Sequence, residues 1–357
     1  MTEKYIPINK GNYEMDSFER LQAFEKHRAL GWEQEYATYR KNWIEFPKAQ
    51  FVSDYPLLVD LELASLCNLR CPMCYTITTG FKEKVNAKLM DWDLYVKIID
   101  EIASKVSAIR LSLRGESFLH KNFIECIRYA KSKGVKEVSS LTSGSKLSPD
   151  FTPKVIEAGI DWITVSIDGT GETYNNIRKP ITFDQILDRV KFISNYKKQH
   201  GLVKPVVKVQ GVWPAVRENP QLYYDTFFPY VDLIAFNPLI DFVARDTDIL
   251  FIDDFCCPQH YQRLVVGADG LVMMCSNDEE NSEVIGDAKK QTIHDIWHGE
   301  RLNKMREIHK KTDGFKEIPV CKKCYLPRDL DESEKVTVSG REITIKNYAN
   351  RKQQIGQ

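Results

Sequence analysis

The chain has 357 residues, 43% of them apolar, enough for one large α/β domain and a smaller one. Its 50 basic and 50 acidic side chains cancel, which gives no electrostatic case for a nucleic acid or an anionic membrane surface as partner. No apolar run approaches the about 20 residues of a membrane span. Residues 1–7 lack the apolar core of a signal peptide, so the expected location is the cytoplasm.

Residues 1–50 read as a helical extension. Phe18, Leu21, Phe24, Trp32, Tyr36, Tyr39 and Trp43 recur at helical spacing between Asp16 and Trp43, with a break at Gly31. Such a stripe faces a core; a substrate lid or dimer contact is the other reading. Over residues 51–245 strand and helix patterns alternate. Strands are predicted at 57–63, 108–113, 137–142, 161–167, 206–213 and 231–236. Between them lie amphipathic runs such as Trp92–Val106, after the candidate N-cap Asp91, and Phe183–Tyr196. Six such units with right-handed crossovers make a parallel sheet with helices outside. They are too few for a closed eight-stranded barrel. The expected fold class is therefore α/β, a partial (β/α)6 TIM-like barrel, with its chemistry at the C-terminal ends of the strands. Residues 246–330 hold five cysteines, a turn at Ala268-Asp269-Gly270 and a helix from Thr292 to His309, and read as a small metal-organised domain. Residues 331–357 read as a hairpin across Ser339-Gly340 and a polar tail.

The nine cysteines are 67, 71, 74, 126, 256, 257, 275, 321 and 324. Two clusters and one single cysteine favour metal ligation over disulfides in a cytosolic chain. Cys67, Cys71 and Cys74 follow the first predicted strand, at the expected mouth. Three thiolates hold three irons of a four-iron cluster and leave the fourth open to a small molecule. A structural zinc would want a fourth Cys or His in this loop, and none is there.

The run Cys67-x3-Cys71-x2-Cys74 after a first strand resembles the signature of the radical S-adenosylmethionine (radical SAM) superfamily. Further stretches near strand ends strengthen that resemblance. Leu113-Arg114-Gly115-Glu116-Ser117 resembles the family's Gly-Gly-Glu motif, with Arg114 and Ser117 in place of the usual Gly and Pro. Leu141-Thr142-Ser143-Gly144 looks like its Thr-Asn-Gly, with Ser143 for Asn. Ser166-Ile167-Asp168-Gly169 and Tyr174–Arg178 resemble a stretch found in members with a C-terminal cluster domain. The resemblance implies that Gly115 and Glu116 meet the methionine end of the cosubstrate. It implies that Ser166 and Arg178 hold its carboxylate or ribose, that Gln210 lies on its adenine or ribose side, and that Met73 and Tyr75 flank the adenine edge. Singly, Glu116 reads equally as a surface carboxylate, Ser166 and Asp168 as turn formers, and Arg178 as a salt-bridge residue. Their order along six units favours the functional reading. The implied chemistry is one-electron cleavage of S-adenosylmethionine to a 5′-deoxyadenosyl radical, which takes a hydrogen atom from substrate.

Cys257, Cys275, Cys321 and Cys324 form a second set, whose spacing suits a structural zinc as well as a 4Fe–4S cluster. Cys257-Pro258, Asp269-Gly270-Leu271 and Ile293–Trp297 resemble the SPASM/twitch cluster domains, in the shorter twitch form. That implies two 4Fe–4S clusters, S-adenosylmethionine, and flavodoxin or ferredoxin as electron donor. Cys256 is a candidate hydrogen-atom donor or a buried small residue, Cys126 a core residue, and His260, near Cys257, a surface or packing residue, with a role behind the metal ligands or at the substrate as the alternative. A fully ligated auxiliary cluster suits electron transfer, hence dehydrogenation of a polar small molecule such as a sugar or aminocyclitol. The layout is similar to twitch enzymes of the 2-deoxy-scyllo-inosamine dehydrogenase type. Sugar epimerisation and peptide modification are the alternatives, and a non-catalytic iron–sulfur electron carrier is the reading from another class. Arg114, Asn237 and Asp241 lie near strand ends as candidate substrate contacts.

Overall fold

A computed structural model of the chain describes residues 4–8, 13–240, 248–350 and 355. Short runs rich in Val, Ile and Leu form its strands: β1 (Tyr13–Glu14), β2 (Leu58–Leu61), β3 (Ala108–Arg110), β4 (Glu137–Thr142), β5 (Trp162–Ser166), β6 (Val206–Val212), β7 (Leu233–Asn237), β8 (Arg263–Val266), β9 (Leu271–Met273) and β10 (Val284–Asp287). Strands β2 to β7 lie side by side in chain order, all parallel, as six β/α units imply. Their ends fall within about three residues of the predicted ones. They make the expected partial barrel, with amphipathic helices such as Trp92–Ile102 and Phe183–Gln199 on its outside.

The sheet continues past β2. Strand β8 pairs with it in parallel, Val59 opposite Leu264, and β9 and β10 follow antiparallel. The segment expected as a separate metal-organised domain thus adds three strands to the same ten-stranded sheet. An open barrel leaves the β2 edge unpaired, and β8 satisfies it. The 245/246 boundary between the two expected domains lies outside the described residues, as does Asp241.

Helix α1 (Phe18–Ala29), capped by Ser17, and helix α2 (Glu33–Ala49) close the N-terminal end of the barrel. Between them Gly31 adopts φ 86°, a left-handed turn that suits glycine. Phe24, Trp32, Tyr36, Tyr39 and Trp43 are buried in clusters with Leu58, Ala108, Val206 and Leu233, so the aromatic stripe faces a core. Phe18, at the start of the stripe, is 65% exposed. A buried Arg28–Glu137 pair, with contacts of 2.6 and 2.8 Å, ties α1 to β4.

Asp91 takes the N-cap position of helix Trp92–Ile102, but its carboxylate accepts from Lys88 Nζ (3.0 Å) and makes no capping bond. The predicted helix over 292–309 is two helices, Ile293–Trp297 and Glu300–Lys310, with Gly299 as the N-cap of the second. Strands β11 (Leu330–Val338) and β12 (Arg341–Tyr348) form the hairpin. Ser339 and Gly340 both take positive φ, the geometry of a type I′ turn. No helix among the described residues is long and apolar enough to cross a membrane.

Candidate active site

The loop that leaves β2 carries Cys67, Cys71 and Cys74 to the C-terminal end of the barrel. The Cys74 N–H closes a turn on the Cys71 carbonyl (3.0 Å), and the Leu69 N–H points at Cys67 Sγ (3.4 Å). Burial raises the Cys67 thiol and pushes that of Cys71 up to about 11. Charge on Cys74 raises both further, so the three sulfurs converge. Arg178 opposes the rise at Cys71.

Gly115 is where the chain after β3 crosses this loop. A Cβ there would sit 2.4 Å from the Ala64 and Leu66 carbonyls, so the close approach is to the chain itself. Beside it the Glu116 N–H donates to the Leu66 carbonyl (2.8 Å). The buried Glu116 carboxylate accepts from Thr142 Oγ1 (2.8 Å), the Ser143 N–H (2.7 Å), Ser143 Oγ (2.6 Å) and the Phe118 N–H (3.2 Å). Ser143 therefore has a function at this carboxylate although it replaces an asparagine. Arg114 turns the other way. Its guanidinium grips buried Glu62 at 2.7 and 2.5 Å and reaches Asn281 Oδ1 (2.7 Å), which ties β2 and β3 to the segment after Cys275. A side chain so engaged serves as a strut, not as the substrate contact expected of Arg114.

Asp168, past the end of β5, holds Arg178 through two contacts of 2.7 Å and accepts from the Val212 N–H (3.0 Å). Burial opposes the charge on Arg178, and Asp168 more than restores it. Ser166 and Gln210 lie opposite each other in the β5–β6 register. A cavity of about 260 Å³ opens beside these groups. Cys71, Met73, Cys74, Tyr75 and Arg178 line one part of it, with Asn237 at the end of β7. Tyr325 and Tyr348 line it too. Tyr325 directly follows Cys324, and Tyr348 ends the hairpin strand β12.

Cys257, Cys275, Cys321 and Cys324 also converge. Burial raises all four thiols, and charge on the others raises Cys257, Cys275 and Cys321 further. A zinc ion bonded to thiolates at about 2.3 Å draws them to about 3.8 Å of one another. In neither cysteine set do three sulfurs lie within 4.8 Å of each other; among the described residues the group that does is Asp54, His294 and His298, two of them exposed. Cys324 Sγ accepts from the Leu326 N–H and Asn277 Nδ2, both at 3.4 Å.

Other expected residues stand apart. Cys256 lines neither this cavity nor the barrel interior. It is fully buried beside Gln50 Nε2 (3.6 Å), and burial pushes its thiol up to about 11, so it reads as packing and not as the hydrogen donor expected of it. Cys126 is a core residue of helix Phe123–Ser132, as its pattern implied. His260 is fully buried, edge-on to His309 at 4.7 Å, in a packing role. Tyr325, Tyr348, Glu62 and His309 were missed. Two of them carry a local signal: Tyr325 adjoins a cysteine, and Glu62 is a carboxylate in an apolar strand.

The chain matches the model of the radical SAM superfamily over residues 61–204 and that of an iron–sulfur cluster-binding domain (SPASM) over residues 256–325. It is 25% identical over 263 residues to the tungsten-containing aldehyde ferredoxin oxidoreductase cofactor-modifying protein of Pyrococcus furiosus, covering 70% of this chain and 71% of that protein. It is 32% identical over 250 residues to a probable GTP 3′,8-cyclase of Methanococcus maripaludis, 62% of this chain and 76% of that one. In fold it resembles the crystal structure of BtrN in complex with AdoMet and 2-DOIA, with a TM-score of 0.51 and 18% identity over 75% of this chain and 92% of that chain. Motif order, barrel, converging cysteines and matches agree: the chain belongs to the radical SAM superfamily, as an enzyme of its SPASM/twitch group whose cofactors are a 4Fe–4S cluster with S-adenosylmethionine and an auxiliary iron–sulfur cluster.

Proposed function

We propose that this enzyme dehydrogenates a polar small molecule, a sugar or aminocyclitol, in the cavity between its two cysteine sets. Cys67, Cys71 and Cys74 hold the cluster that binds S-adenosylmethionine; Cys257, Cys275, Cys321 and Cys324 fully ligate one auxiliary 4Fe–4S cluster. The observation that carries this reading is that one cavity is lined by Cys71 and Cys74 and also by Tyr325, the neighbour of Cys324. When bound, the first cluster and S-adenosylmethionine supply one-electron cleavage of the sulfonium and removal of a hydrogen atom from substrate. Oxidation of a carbinol to a carbonyl then requires loss of one proton and one more electron, and a saturated auxiliary site beside the cavity suits that second electron.

The chain's own residues orient and enclose. Glu116, fixed by Thr142 and Ser143, presents a carboxylate to the methionine ammonium. Arg178, aimed by Asp168, takes the cosubstrate's carboxylate or ribose, with Ser166 and Gln210 beside it. Met73 and Tyr75 cover the adenine edge, and Tyr75 is fixed by donating to the Leu113 carbonyl (3.2 Å). Tyr325 and Tyr348 keep water from the reacting carbon. The placement of Cys256 and Cys126 away from the cavity favours dehydrogenation over epimerisation, which needs a thiol at the substrate. A flavodoxin or ferredoxin supplies the first electron.

Iron and sulfide per chain after anaerobic reconstitution test the ligand sets. Wild type is expected to hold about eight iron, and the Cys67→Ala/Cys71→Ala/Cys74→Ala variant about four, without S-adenosylmethionine cleavage. About four in wild type and none in the variant would remove the auxiliary cluster from this reading, and the electron acceptor with it.

A further inference from the structure

The barrel holds a second, partly open space of about 700 Å³, within the size range of small-molecule sites. Asn237 and Tyr325 line both this chamber and the cavity described above, so the two adjoin. Closed barrels fill their interior with layers of apolar side chains. Here Arg110, Ser139, Thr164, Lys208 and Arg263 share the wall with apolar groups such as Trp43, Leu58 and Leu233.

Among the described residues the charges in this wall do not cancel. Arg110 on β3 and Arg263 on β8 stand on either side of β2 and share one buried carboxylate. Arg110 Nε lies 2.8 Å from Asp60 Oδ1, and Arg263 Nη1 donates to Asp60 Oδ2 (3.2 Å). Two guanidiniums against one carboxylate leave one positive charge in excess. The other chamber arginines have carboxylates of their own, Glu137 for Arg28 and Glu25 for Arg40. Lys208 on β6 has Glu14 as its principal acidic neighbour. Arg263 also stacks on Trp43, its guanidinium carbon 5.0 Å from the ring centre, which fixes the plane it presents. An oriented positive charge in a recessed, partly enclosed chamber attracts an anion more strongly than one at the surface.

We propose that Arg110 and Arg263 bind an anionic group of the substrate, a phosphate or a carboxylate, inside the barrel, while the rest of the molecule reaches past Asn237 and Tyr325 toward the cysteine loop. The proposal rests on the reading that the cavity between the cysteine sets is the active site. Planar guanidiniums match both kinds of anion through paired hydrogen bonds. Asp60 is their internal counter-ion and competes with the ligand.

The test is calorimetric titration of the reconstituted enzyme with inorganic pyrophosphate and, separately, with succinate. At least one is expected to bind saturably at one site per chain, more weakly as salt rises. Arg110→Gln and Arg263→Gln are each expected to weaken that binding by about ten-fold or more. Asp60→Asn is expected to tighten it, and Arg40→Gln, in the same chamber beside Glu25, to leave it unchanged. The opposite signs separate this role from general loss of structure. No saturable binding of either anion overturns the proposal, and so does equal binding in wild type and the Arg110 and Arg263 variants, or weakening by Arg40→Gln. Pyrophosphate alone identifies a phosphate site, and succinate alone a carboxylate site. Iron is counted in the same samples: anion binding with only about four iron per chain sinks the two-cluster reading and keeps the chamber, and about eight iron without anion binding does the reverse.

Discussion

His309 stands between two of the four C-terminal cysteines. In the tautomer with its proton on Nε2, Nδ1 accepts the Cys257 N–H (3.4 Å) and the Nε2–H faces Cys321 Sγ at 3.6 Å. The Phe255 carbonyl, an acceptor beside the ring, opposes the fall of its pKa. Burial pushes the imidazole down to about 4, so the ring stays neutral with one proton. An N–H aimed at a cluster thiolate favours the reduced, more negative state of that cluster. His309→Leu is expected to lower the midpoint potential of the auxiliary cluster, and His309→Gln, whose amide still donates, to recover most of the loss. An EPR-monitored redox titration in the Cys67→Ala/Cys71→Ala/Cys74→Ala background reads that cluster alone. Equal potentials in all three proteins would take His309 out of this role.

At the scale of elements, the crossing of two loops sets the first cysteine site. With Ala64 and Leu66 carbonyls only 2.4 Å from any Cβ at position 115, Gly115→Ala must displace the backbone that leads into Cys67. It is expected to keep the auxiliary cluster and lose the other, leaving about four iron per chain, with helical content by circular dichroism unchanged. A variant that loads about eight would show that the crossing does not position the cysteines. The sequence resemblance implied a small residue here for the ligand's sake; the structure gives the demand to the chain. Other elements divide along the same line between local and tertiary causes. The strands β2 to β7 were legible because each is a compact run such as Trp162–Ser166 between amphipathic helices, and the hairpin because Ser339-Gly340 dictates its turn. The pairing of β8 with β2 was not legible, since nothing within Arg263–Val266 names its partner edge. The cysteines stood out by spacing, and Glu116 and Arg178 by their resemblance to the family's motifs and their order along the chain. Tyr348 did not, because a hairpin more than twenty residues beyond Cys324 brings it to the cavity.

Across the whole molecule, charge inside the barrel links stability to pH. Lys208 is buried in the chamber wall, where burial pushes its ammonium down to about 8; Glu14 and Glu25 oppose that fall, and Arg28 adds to it. The unfolded chain holds the same proton up to about pH 10.4. Between these values the unfolded state binds more protons than the folded one, so stability rises with pH across that window. Below pH 8 both states carry the charge, and the folded state bears the full cost of burying it, on the order of 3 kcal/mol. Lys208→Met removes that cost while filling nearly the same volume. It is expected to stabilise the ligand-free protein against urea by a few kcal/mol at pH 7. The gain should shrink steadily above pH 8 and vanish near pH 10.4. The barrel thus tolerates a buried ammonium at a cost to its own stability. Urea midpoints of wild type and Lys208→Met at pH 7 and pH 9.5 measure the difference. A gap between the two proteins that is the same at both pH values would show that the ammonium is not what the substitution removes.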